Sequence, residues 1–115
     1  MILVVDDDPD IVGFIRMALE AEGIAVTTAR NGRVALERLR EVVVAVVLLD
    51  INMPVMDGPE FAREARKEFR DLPIIVMTAG TEVASYSREL QADDSLAKPF
   101  ELTDLLDKVG RFVTA

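Results

Sequence analysis

Four short apolar runs in this chain each end on a side chain that could take part in phosphorus or metal chemistry. "ILVV" leads into Asp6, Asp7 and Asp8, "VVLL" into Asp50, "IIVM" into Thr78 and "SLA" into Lys98. A run buried on both faces usually leaves the core through a small or neutral residue, because an unpaired charge at its mouth costs desolvation energy. "VVLLDINMPVMDG", Val46 to Gly58, departs from that rule by stopping on a carboxylate before a loop that carries Pro and Gly. A carboxylate at Asp50 can attack phosphorus and form an acyl phosphate. The Thr78 hydroxyl could hydrogen-bond a phosphoryl oxygen, and the Lys98 ammonium could pair with its charge. Asp6, Asp7 and Asp50 at one edge would repel one another and lose hydration unless a cation compensates them. A small, open, oxygen-only cluster favours Mg²⁺, which also can neutralise a transferring phosphoryl group.

Composition narrows the alternatives. With no cysteine and no histidine, disulfides, thiolate chemistry, Ser-His or Cys-His couples and His-ligated metals are all excluded. The net charge of -8 argues against direct nucleic-acid binding, which needs clustered cations for phosphate contacts. The longest apolar run, Val42 to Leu49, is too short to span a bilayer, and the first residues show no signal-peptide pattern. A cytoplasmic chain is the expectation. At 115 residues and 50% hydrophobic content, residues 1–115 suit one domain with one core.

The elements that must position these residues alternate along the chain. Strands are expected at Ile2–Val5, Ile24–Ala29, Val43–Leu49, Ile74–Met77 and Ser95–Ala97. Between them apolar residues recur at helical spacing, most clearly Ile11, Phe14, Ile15, Ala18 and Leu19, and near the end Leu102, Leu105, Leu106, Val109 and Val113. Asp8-Pro9 reads as an N-cap and first-turn pair, Gly23 and Gly32 sit where the chain turns, and Pro59 can open a third helix. The weakest helical stripe is Thr81 to Leu90, which only Val83, Ala84 and Leu90 supply.

Strands alternating with helices imply right-handed βαβ units and a mostly parallel sheet covered on both faces. The first, third and fourth runs are continuously apolar and suit the centre, whereas the Thr-rich second and the short fifth suit the edges. The expectation is a doubly wound α/β sandwich of three layers, flavodoxin-like in plan, with strand order 2-1-3-4-5. Ligands in such a sheet bind beyond the carboxyl ends of the strands, at the switch point between the first and third. Asp6, Asp7 and Asp8 follow the first, and Asp50 ends the third.

The motifs "VVDDD", "LLDINMPVMDG", "VMTAG" and "LAKPF", in that order, resemble the receiver domain of bacterial two-component response regulators over essentially the whole chain. That resemblance implies that Asp50 is the phosphoacceptor. It implies that Asp6 and Asp7 hold Mg²⁺, Asp7 directly and Asp6 largely through water, with the backbone carbonyl of Asn52 as a further ligand. Thr78 and Lys98 take the phosphate-contacting roles, and Lys98-Pro99 matches a peptide that is cis in the family. The implied donor is a phosphohistidine on a sensor kinase or phosphotransfer protein. Output would pass to a downstream partner or output domain through the face made by the helix at Thr81–Leu90, the fifth strand and the last helix, with homodimerisation left open. The domain would catalyse its own phosphorylation and dephosphorylation rather than act as an enzyme on other substrates.

Several residues also have plainer readings. Asp8 is expected to cap a helix, Asp57 and Gly58 to form a turn, and Met53, Pro54 and Met56 to shape and pack the loop. A haloacid-dehalogenase-type phosphatase also places an Asp nucleophile after an apolar strand, but needs a second Asp two positions on. Asn52 occupies that place and cannot exchange the proton. Asp6 and Asp8 do have that spacing, but Pro9-Asp10 follows where a small hydroxyl residue or Val is required. A receiver-like interaction module that is never phosphorylated is the third reading, opposed by the intact set of Asp6, Asp7, Asp50, Thr78 and Lys98. The chain departs from the family three residues before the lysine, where Ser95 replaces the usual Tyr or Phe; the only tyrosine is Tyr86.

Overall fold

The computed structural model describes residues 1–51, 55–79 and 91–113. Along them run β1 (Ile2–Val5), α1 (Pro9–Ala21), β2 (Val26–Ala29), α2 (Gly32–Glu41), β3 (Val46–Asp50), α3 (Gly58–Glu68), β4 (Ile74–Ala79), β5 (Asp94–Lys98) and α4 (Leu102–Gly110). The five strands form one parallel sheet in the order β2-β1-β3-β4-β5, as the sequence led us to expect. The helix expected at Thr81–Leu90, with Tyr86, lies outside the described residues, as do Asn52, Met53 and Pro54.

Side chains on a strand alternate between faces, so the continuous apolar runs feed two separate cores. Leu3, Val5, Val47, Leu49, Ile74 and Val76 point to the face covered by α2 and α3, where they meet Ala35, Leu39, Phe61 and Ala65. Ile2, Val4, Val46, Leu48, Ile75 and Met77 point to the other face and pack with Ile15 and Leu19 of α1 and Leu105 and Val109 of α4. Each fully buried large side chain contributes about 1.5–3 kcal/mol through apolar burial. The two cores fix the sheet between its helices, and through it the strand ends that carry the acids.

Local signals set the helix starts. Asp8 caps α1 by accepting from the Asp10 N–H, Asn31 caps α2 by accepting from Val34, and Asp57 caps α3 by accepting from Glu60, each at 2.9 Å. Asp57 is therefore a cap rather than only a turn residue, and Gly32 is the first residue of α2 rather than the turn before it. Gly23, at φ 78°, does turn the chain after α1.

Other boundaries differ from expectation because pairing, not composition, decides them. The third strand begins at Val46, the partner of Ile2 at the start of β1, and Val43 projects from the preceding loop at 91% exposure. Phe14 has the helical spacing of a core residue yet is 47% exposed, with its ring 6.2 Å from that of Phe100. Among the described residues no helix is long and apolar enough to cross a membrane.

Candidate functional site

The parallel register brings the acids together. β1 and β3 pair through Val5 and Leu49, so the next residues, Asp6 and Asp50, leave the sheet side by side. β3 and β4 pair through Asp50 and Met77, which puts Thr78 one residue beyond that level, and β4 and β5 pair through Ala79 and Lys98. Asp6, Asp50 and Thr78 are the buried polar side chains at this edge, whereas Asp7 is exposed.

Burial of two carboxylates demands partners. Lys98 Nζ donates to Asp6 Oδ2 at 2.8 Å and lies 3.3 Å from Asp50 Oδ1. The other oxygen of Asp6 accepts from the Asp8 N–H at 2.9 Å. Burial disfavours the Lys98 ammonium, but the hydrogen bond to Asp6 and the charges of Asp50 and Asp6 outweigh it, and its pKa is raised above the ordinary lysine value. One oxygen each of Asp6, Asp7 and Asp50 falls within a set whose members lie within 4.8 Å of one another. Among the described residues, three carboxylates thus gather beside one ammonium, that of Lys98. The donor set is hard, anionic and made of oxygen alone, with an exposed member open to water, and it fits Mg²⁺.

Of the residues picked out from the sequence, Asp6, Asp7, Asp50 and Lys98 converge directly, and Thr78 is buried at the adjoining strand end. Asn52 lies outside the described residues. The Lys98-Pro99 peptide is cis, as the resemblance implied. Sequence reading missed Gly58: a Cβ there would come within 3.1 Å of Ile51 Cα and 3.3 Å of the Asp50 carbonyl oxygen. Glycine lets the start of α3 return this close behind Asp50 without crowding the backbone, and the Asp-Gly pair was the available signal. It also missed Arg30, which follows β2 and lines, with Asp6, Asp7 and Thr28, a cavity of about 310 Å³ beside the cluster.

Comparisons with known proteins agree with this geometry. A family model described as "Response regulator receiver domain" matches residues 2–110. The transcriptional regulatory protein PrrA of Mycobacterium leprae is 38% identical over 110 residues, covering 94% of this chain and 47% of that protein. Response regulator SaeR of Staphylococcus aureus is 34% identical over 115 residues, covering 98% of this chain and 50% of that protein. The chain therefore spans about half the length of these curated relatives. Among solved structures, Vibrio cholerae chemotaxis protein CheY4 superposes with a TM-score of 0.90 at 32% identity, covering 97% of each chain. The receiver domain of NtrX from Brucella abortus gives 0.90 at 29% identity and 96% of each chain.

Proposed function

This chain belongs to the response regulator receiver domains, the receiving modules of two-component signalling, and from that membership we propose that Asp50 is its phosphoacceptor. The observation that carries the assignment is the placement of Asp50 at the end of a central strand, 94% buried from solvent contact by its 6% exposure, beside Lys98 and in reach of two further acids. The donor is a phosphohistidine on a sensor kinase or phosphotransfer protein. An Asp50 oxygen bonds to phosphorus as the phosphorus–nitrogen bond to the donor histidine breaks. Lys98, freed from part of its pairing with Asp50, turns its charge to the phosphoryl oxygens, and the Thr78 hydroxyl donates to another. Asp6, Asp7 and Asp50 would hold Mg²⁺, with the Asn52 carbonyl as the further ligand that the family resemblance implies, and the ion would supply positive charge against the acids and the transferring phosphoryl group. The same groups serve loss of the phosphoryl group to water, so the domain promotes both halves of its own cycle.

Output passes through the face made by β5 and α4 to a downstream partner or an output domain, the helix expected at Thr81–Leu90 lying outside the described residues, and the setting is cytoplasmic. The Ser95 backbone is already engaged there: its carbonyl accepts from Lys108 Nζ, and its N–H donates to Asp94 Oδ1 at 2.8 Å.

The test is incubation with Mg²⁺ and a small acyl phosphate, read by intact mass. A single stable phosphoryl addition, lost in Asp50→Asn, is the expected result. Turnover of added phosphoesters would instead support a phosphatase, and no reaction would support an interaction module. Labelling that persists at another residue in Asp50→Asn sinks the assignment.

A further inference from the structure

Met56 lies over Gly32 so closely that a side chain at Gly32 would force the methionine to shift. A Cβ added at Gly32 would meet Met56 Cγ at 2.9 Å and its Cβ and Sδ at 3.0 Å. Gly32 is buried and Met56 half-buried against the core on the α2 and α3 face. Just before Met56, Val55 has φ 72°, a left-handed conformation that a β-branched residue rarely adopts, while its side chain is 71% exposed. Exposure of Val55 removes any packing reason for that conformation. Its evident effect is to turn the chain so that the next side chain faces inward onto α2.

The contact joins two structures that each lead back to an acid. On one side, Gly58 N–H donates to the Ile51 carbonyl at 3.2 Å, directly behind Asp50. On the other, Asn31 caps α2, and the Asp6 N–H donates to the Ala29 carbonyl at 3.1 Å. Met56 on Gly32 joins the segment that follows β3 to the start of α2 after β2, whose last residue, Ala29, is bonded to Asp6 at the end of β1. The ends of β1 and β3 carry like charges that repel.

Resting on the reading of the acid cluster as a Mg²⁺ site, we infer that Met56 is a positioning residue. Seated on Gly32, it holds the ends of β1 and β3 at the spacing that lets Asp6, Asp7 and Asp50 share a divalent cation. It touches neither the cation nor the phosphoryl group. The alternative is a methionine that only fills the core, and the two differ in what its removal does to cation affinity.

The experiment is calorimetric titration of the 115-residue chain with Mg²⁺ at fixed ionic strength, alongside melting temperatures, for wild type, Met56→Ala, Met56→Leu, Gly32→Ala and the Ala/Ala double variant. Met56→Ala is expected to weaken Mg²⁺ binding by about tenfold, the scale of losses seen when outer-shell support is removed. Met56→Leu, which keeps the bulk, should stay within about twofold of wild type on the same scale. Gly32→Ala should weaken binding as Met56→Ala does, and the double variant should be no worse than either, because both break one contact. If Gly32→Ala does not fold, the Ala and Leu variants at Met56 decide the matter. Met56→Ala with wild-type Mg²⁺ affinity and a lowered melting temperature overturns the inference, as do additive losses in the double variant. Failure of wild type itself to bind Mg²⁺ would overturn the underlying site reading instead.

Discussion

Lys98 Nζ and Asp6 Oδ2 meet at 2.8 Å although they are 92 positions apart in the chain and two strands of the sheet lie between theirs. The lysine whose ammonium could pair with a phosphoryl group is already engaged, more closely with Asp6 than with Asp50 at 3.3 Å. Its ammonium offsets part of the repulsion among three carboxylates and keeps the strand ends together before any ligand arrives.

Removing that ammonium leaves Asp6 and Asp50 buried with far less compensation. Lys98→Met is expected to lower unfolding free energy in Mg²⁺-free buffer by on the order of 3 kcal/mol, as when one partner of a buried pair is deleted. Urea denaturation measures this. A stability equal to wild type would show that the pair is not structural.

The raised pKa of Lys98 predicts a pH dependence of definite sign. Since the folded-state value lies above the unfolded one, the pair stabilises fully below the ordinary lysine value of 10.5 and loses that contribution as pH climbs through the higher folded-state value. Urea midpoints of wild type and Lys98→Met, compared in Mg²⁺-free buffer, should therefore converge at alkaline pH. A constant or widening gap contradicts the assignment.

Asp7 is exposed and has no ion-pair partner among the described residues, so its charge chiefly adds to the repulsion. Asp7→Asn should raise the melting temperature without Mg²⁺ by a few degrees, roughly the effect of removing a fraction of a kcal/mol of surface repulsion. The same change should reduce the thermal upshift that added Mg²⁺ gives wild type. A lower melting temperature would mark Asp7 as a structural acid.

Val55 offers a test of backbone strain separate from the charges. Asn tolerates the left-handed region better than a β-branched residue, and the exposed side chain loses little packing on replacement. Val55→Asn is expected to stabilise the domain by about 1 kcal/mol in urea unfolding. Destabilisation would show that Val55 makes contacts worth more than its strain.

At the face proposed for output, Ser95 makes its described contacts to Lys108 and Asp94 through its backbone, which Ser95→Ala retains. Hydrogen exchange with and without beryllofluoride, a phosphoryl mimic, should show its largest change outside the pocket within residues 81–90, and Ser95→Ala should leave it almost unchanged. Loss of the response in that variant would place the Ser95 hydroxyl in the coupling route.

The sequence alone determined the alternation of strands and helices, the order of the strands and the identity of the acids, Thr78 and Lys98. It could do so because burial on both faces writes continuous apolar runs, helices write a stripe, and charges at the mouths of such runs are costly enough to stand out. Relations between elements were decided only by the tertiary structure. Nothing local distinguishes Val43 from Val46, and the register against β1 assigns one to a loop and the other to the sheet. Phe14 keeps helical spacing, yet its place on α1 turns it toward Phe100 and solvent rather than into the core. The preference of Lys98 for Asp6, the return of Gly58 behind Asp50 and the seat of Met56 on Gly32 are distances between segments far apart in the chain or bent back on themselves. Periodicity carries no distances of that kind, because they arise only when strand register and helix packing are satisfied together.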